Sequence, residues 1–252
     1  MKKLNAMVNI YWDVQKTRVA SENRIRSLGE LEEGDISDVA GTLQQTEALL
    51  AKDIRKSVRQ HPFYPYWLKH VKGIAEVLSA QLICLIRGQV HTPECQEKRD
   101  KYFSKRKKGE GKRAKRFECD CPIQEIERFR TVSALWAYAG LHTVDGKAPR
   151  RKKGETSSWN HKLRMLMYNV SASFVRCTTG PYRKWYDEFK AKEQKKHPDL
   201  RKMHIEMRVR RRVSKLFLAH VFNKWYEMKG LEAPEPYAFG MLGHSGYIPP
   251  PD

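Results

Sequence analysis

Between residues 98 and 116 the chain reads KRDKYFSKRKKGEGKRAKR, eleven Lys/Arg against two acids. No core can take in such a run, because burying an unpaired charge costs several kcal/mol per ion. It must lie at the surface as a solvated loop or tail-like insert. The apolar, helix-periodic sequence is thereby split in two. Any fold has to bring the part before residue 89 and the part after residue 123 together around a basic excursion.

Both parts read as helical. Met7, Ile10, Tyr11, Val14, Ile25 and Leu28 recur near helical spacing over residues 5–28. GELEEGDIS breaks that pattern. Ser37 is a candidate N-cap for a second helix to about Gln60, with Val39, Leu43, Leu50, Ile54 and Val58 on one face. Two long helices with a short link predict a helical hairpin or coiled coil over 1–60, closing within the chain or joining two copies as a homo-oligomer. HPFYPYW ends that unit, with Pro62 and Pro65 stopping the helix. LKHVKGIAEVLSAQLICLIRG then reads as two apolar helical stretches meeting at Lys72-Gly73. That is the pattern of a helix-hairpin-helix, whose turn presents backbone N–H groups to a DNA phosphate. Ala75 stands where a second glycine is usual, and an ordinary helical corner is the alternative.

Beyond the insert, IQEIERFRTVSALWAYAGL predicts a short helix, a bend and an apolar helix closed by Gly140. A small hairpin follows at Asp145-Gly146. Further helices are expected from Asn160 to about Cys177, from Pro181, and up to about Gly230. The expected class is mainly α: a hairpin or coiled coil (1–60), a helix-hairpin-helix-containing domain (61–232) with the insert at 89–123, and an extended Pro/Gly-rich tail (233–252).

Charge narrows the partners. The net charge is +20 on 252 residues, a field that attracts polyanions, above all nucleic acid. No apolar run approaches the ~20 residues that span a bilayer, and the N-terminus lacks a signal-peptide pattern. A cytoplasmic, nucleoid-associated protein with no membrane partner is expected. Its cysteines are then thiols or metal ligands. His91, Cys95, Cys119 and Cys121 flank the insert and make a candidate tetrahedral zinc set, with plain reduced thiols as the alternative. Lys147, Arg150, Arg151, Lys152 and Lys153 form a second basic stretch, and Arg208, Arg210, Arg211, Arg212 a third. Together with Lys72 and Gly73 these are the candidate nucleic-acid contacts.

An ordered set of motifs carries a resemblance. VKGIAEVLSAQLICLI, IERFRTVSALWAYAGL, a basic turn and NHKLRMLMYNVSASFVR follow one another over roughly residues 68–178. This order is similar to the C-terminal domain of serine-dependent, bridge-RNA-guided transposases of the insertion sequence one-ten family. The resemblance implies DNA as partner and a nucleophilic serine at Ser173, on the helix after Leu163-Arg164. Arg164 and Arg176 on that helix and Arg150, Arg151, Lys152 and Lys153 of the basic loop would then stabilise the phosphorane. Ala172 stands where the family has Arg. The family's RNase H-like domain, whose four acids hold divalent metal, has no counterpart here: Asp13, Asp35, Asp38 and Asp53 fall in or beside expected helices. The resemblance therefore implies that Mg²⁺ enters only if an RNase H-like partner protein supplies those acids. The plain reading of Ser173 is a small residue packed on a helix stripe with Val170 and Leu166.

Three function classes result: DNA strand cleavage and exchange at Ser173, a non-catalytic module for branched or bent DNA, and an accessory protein binding structured RNA. MLGHSGY (241–247) also echoes the Leu-Gly-His segment of tyrosine recombinases. Here, however, His204 and Arg208 are four apart and Tyr247 follows His244 closely, so the tail is expected to pack its aromatics on the last helices.

Overall fold

The structure is a computed structural model and describes residues 1–27, 34–104, 119–144, 146–150, 157–234 and 247–251. It is mainly helical. The helices are α1 (Lys2–Ser27), α2 (Gly34–Val58), α3 (Phe63–Tyr66), α4 (Glu76–Ile86), α5 (Pro93–Ser104), α6 (Val132–Tyr138), α7 (His161–Arg176), α8 (Pro181–Lys196) and α9 (Lys202–Met228). One antiparallel pair of short strands, β1 (Gly88–Gln89) and β2 (Ile123–Gln124), joins them.

α1 and α2 lie against each other, and Glu47 accepts from Arg18 (2.6 Å) and Gln15 (2.9 Å). A parallel pairing would need a return of about 39 Å, the length of α1. The link of residues 28–33 spans at most roughly 25 Å, so the two helices run antiparallel. α2 begins at Gly34, ahead of the expected cap at Ser37, whose side chain lies outside the described residues. The hairpin shares one core with the rest: Leu4, Val8, Ile54 and Val58 join the same buried cluster as α4, α7 and α9.

α9 is the spine. Ile205, Val209, Val213, Phe217, Val221 and Trp225 recur every four residues and are all buried, which turns one ridge of the helix inward. Phe217 sits among Trp67, Phe174 and Tyr182, with ring centroids 6.0, 5.4 and 5.5 Å away. Local signals set the helix ends. The Asn160 side chain accepts from Leu163 N (3.1 Å) and starts α7. Pro181 opens α8 directly after Gly180.

The apolar helical stretch expected just before Gly73, the first helix of a helix-hairpin-helix, is not an α-helix. α3 is four residues and is followed by a 3-10 turn at Leu68–His70. The expected short helix from Ile123 is instead strand β2 and a 3-10 turn at Ile126–Arg128.

The described end of the chain is strapped down. Trp67 Nε1 donates to Pro251 O at 2.9 Å. His220 Nε2 donates to Ile248 O at 2.8 Å, while its Nδ1 accepts from the Tyr182 hydroxyl at 2.7 Å. Burial pushes the His220 imidazole down from 6.5 to about 4, against the opposing pull of the Ile248 carbonyl. The folded imidazole therefore stays neutral where the unfolded one takes a proton. Its contribution is complete above pH 6.5 and lost between 6.5 and 4. Thermal unfolding should show stability falling by roughly 2–3 kcal/mol across that window. In His220→Gln, whose carboxamide offers a donor and an acceptor without titrating, the fall should shrink. An equal fall in both proteins would refute the assignment.

Candidate metal centre and nucleic-acid interface

The insert leaves and re-enters the fold at one neck. In the β1–β2 ladder Gly88 faces Gln124 and Gln89 faces Ile123, and Val90 N donates to Pro122 O at 3.0 Å. Gln89 Nε2 reaches across to Cys119 O at 3.0 Å. These bonds bring His91, Cys95, Cys119 and Cys121 together, their ligand atoms all within 4.8 Å of one another. His91 Nδ1 lies 3.4 Å from the sulfurs of both Cys95 and Cys119. Ligands of a tetrahedral zinc, at Zn–S ~2.3 Å and Zn–N ~2.0 Å, stand about 3.5–3.8 Å apart. The cluster can therefore hold a metal such as zinc with little movement.

Three crowded thiols cannot all ionise without a cation. Burial, then the neighbouring Cys121 and Cys119 sulfurs, push Cys95 up to about 12. Cys121 lies below its usual value, first through a backbone hydrogen bond at Thr92 and then through Cys95. Among the described residues no other group of three such ligands could hold an ion.

A second site lies between α7, α9 and the Leu141–Arg150 turn. There the Val144–Lys147 bridge closes the small hairpin, with Gly146 at φ 72°. Arg164, Arg208, Arg210 and Arg211 edge a cleft of about 250 Å³ whose floor includes Leu141 and Met167. Two of the arginines are neutralised: Arg208 by Glu193 (2.8 Å) and Arg210 by Glu206 (2.7 Å). The other two are not. Arg164 donates to Pro149 O at 2.7 Å and lies over the Trp159 ring. Arg211 donates to Leu141 O at 2.8 Å and to His142 O. Lys215 rests its ammonium over Trp136, 4.1 Å from the ring centroid. No described carboxylate pairs with any of these three. Burial lowers the affinity of each for its proton, and Arg164 repels Arg211 while Arg211 repels Lys215.

The remaining sequence candidates are spread out. Arg212 is exposed, its guanidinium 4.0 Å from the Phe189 ring centroid. Lys147 and Arg150 are exposed on the turn. Arg151, Lys152, Lys153 and residues 105–118 of the insert lie outside the described residues. Lys72 donates to Thr179 Oγ1 at 3.5 Å. Gly73 takes φ 94°, and a Cβ there would come 3.0 Å from Phe174 and 3.1 Å from Cys177, so the turn is glycine because α7 packs on it.

Ser173, on α7, is tied to that turn. Its hydroxyl donates to Gly73 O at 2.7 Å. It stands nine residues after Arg164 on α7, which is about 180° around the helix and about 13 Å along it. The serine on Arg164's face is Ser171, seven residues on, and Ser171 lines the cleft. Tyr247 accepts from Asn223, nineteen residues and about 28 Å along α9 from His204. A tyrosine-recombinase site from His204, Arg208 and Tyr247 is therefore not assembled.

Sequence reasoning missed Trp159, His142, Ser171 and Lys215 as members of this site. For Lys215 a signal existed: Arg208, Arg211 and Lys215 repeat at helical spacing. Among the described residues no helix is long and apolar enough to cross a membrane. No family model, curated protein or solved structure matches the chain.

Proposed function

We propose that the chain is a nucleic-acid-binding protein, in which zinc held by His91, Cys95, Cys119 and Cys121 closes the neck of the basic insert. The observation that carries the reading is the group of half-buried cations, Arg164, Arg211 and Lys215, with no carboxylate among the described residues to neutralise them. A protein that only needed solubility would leave such charges in water. Holding them beside apolar surface raises their demand for an anion. The net charge of +20 and the insert add reach along a polyanion. DNA rather than RNA is the favoured partner on the strength of the transposase resemblance, which also supplies the mobile-element setting.

Geometry supports binding over cleavage. A nucleophilic Ser173 needs a free hydroxyl, and its proton is engaged by Gly73 O at 2.7 Å, with Arg164 on the opposite helix face and Arg176, three residues on, as the cation of its own face. Anisotropy titrations of labelled duplex DNA, four-way-junction DNA and structured RNA between 50 and 200 mM salt test the reading. Affinity should fall with a log–log slope of about −0.9 per phosphate neutralised. A denaturing gel with Mg²⁺ should show no protein-linked DNA in the unaltered chain or in Ser173→Ala. A slope near zero would defeat the binding reading. A Ser173-dependent covalent band would replace it with strand transfer.

A further inference from the structure

The cleft between α7 and α9 joins two chemistries that one ligand can satisfy. Its polar edge is the Arg164–Arg211 pair, whose hydrogen bonds among the described residues go only to backbone carbonyls. Two guanidiniums with donors to spare match a doubly charged oxyanion, which each can grip in a fork. Its floor is apolar, and the rim carries Tyr168 and Met207, 49% and 44% exposed. Large apolar side chains left open around a concavity are ordinarily covered by something. The buried hydroxyls of Ser171 and Ser214 also line it. Each donates its proton to a backbone carbonyl, Tyr168 O (2.8 Å) and Met167 O (3.1 Å). Each is thereby left with lone pairs for an incoming N–H. Beside Arg164 and Arg211, Trp159 Nε1 and His142 Nδ1 are buried without partners among the described residues. Drug-sized ligands occupy about 300–1,000 Å³, so a volume of about 250 Å³ holds one small unit rather than a folded element.

The geometry points to a subsite for a single phosphorylated nucleotide unit, with its phosphate on Arg164 and Arg211 and its base or sugar on the floor formed by Leu141 and Met167. A strand terminus or a displaced nucleotide is the source that rests on the nucleic-acid reading above. A free nucleotide carries the same chemistry.

Calorimetry on the full chain separates the sources. The probes are inorganic phosphate, deoxyadenosine, deoxyadenosine 5′-monophosphate, and a tetradeoxynucleotide with and without a 5′-phosphate; a 30-base-pair duplex is run in parallel. The monophosphate should bind at least about tenfold more tightly than the nucleoside or phosphate alone. Ala148→Trp, which fills the cleft from its exposed rim, and Arg211→Gln should each weaken the monophosphate and the 5′-phosphorylated tetranucleotide by about tenfold. Lys184→Gln, on exposed α8 surface, removes the same charge and should not. Ala148→Trp keeps the test open if Arg211→Gln unfolds. A tetranucleotide that binds more tightly than the monophosphate identifies a strand. Equal affinities identify a free nucleotide. Unchanged monophosphate binding in Ala148→Trp, or duplex binding with no small-probe binding, overturns the subsite and leaves the nucleic-acid reading standing. Monophosphate binding without duplex binding does the reverse.

Discussion

Phe217→Ala should lower the free energy of unfolding by about 3–5 kcal/mol. Domains of this kind are stable by only about 5–15 kcal/mol, so the variant will stand near the edge of folding. The size of the effect follows from position. Phe217 is fully buried and is the ring on which Trp67, Phe174 and Tyr182 converge. Those rings come from the turn before α4, from α7 and from α8. They are held in place by other elements and cannot collapse into the space a phenyl group leaves. Urea unfolding should show a lower midpoint with an unchanged slope. A cost below about 1 kcal/mol would mean that the cavity closes, and that the four rings are not the keystone described.

The second large effect concerns metal. Protein purified without chelator should carry about one zinc per chain, and Cys119→Ser should carry none, because zinc needs four ligands in a closed structural site. Metal analysis decides the first point. The second readout is local. Hydrogen exchange at Val90, whose amide bonds to Pro122 O at 3.0 Å, should accelerate on chelation, while amides in α7 and α9 keep their protection. Loss of protection throughout would make the metal a global fold determinant. No zinc in the unaltered chain would reduce the cluster to ordinary thiols.

The helices outside the insert were largely legible because their signals are local, whereas α5 (Pro93–Ser104) runs into the stretch whose charge predicted a loop. Asn160, Pro181 and Gly230 punctuate α7, α8 and α9 within a few residues of where the pattern places the ends. The boundaries 89–123 of the insert nearly coincide with the β1–β2 ladder, since composition changes where the core stops. The ladder itself was not legible. Two residues per strand are too few to show a period, and their pairing partner lies beyond thirty residues of basic sequence. The metal cluster was legible as residue types and only its convergence needed coordinates. The cleft was hardest, because it depends on which face of α7 meets which face of α9. Even so, helix arithmetic alone sets Ser171 on Arg164's side and Ser173 on the other. The resemblance singles out Ser173; its hydrogen bond to the turn at Gly73 pairs residues a hundred positions apart and needed coordinates.

The neck has an evolutionary consequence. Cys95 and Cys119 come within 4.8 Å of each other, so the chain between them departs and returns at a single point. Doubling the length of such a loop costs only about 0.6 kcal/mol in closure entropy, and none of that change reaches the core. Closely spaced ends of this kind are what an exchangeable cassette requires. Its length, charge and sequence can be rewritten by insertion or recombination while α4, α7 and α9 remain untouched. On the nucleic-acid reading proposed above, a change in recognition there would leave the scaffold's packing as it is.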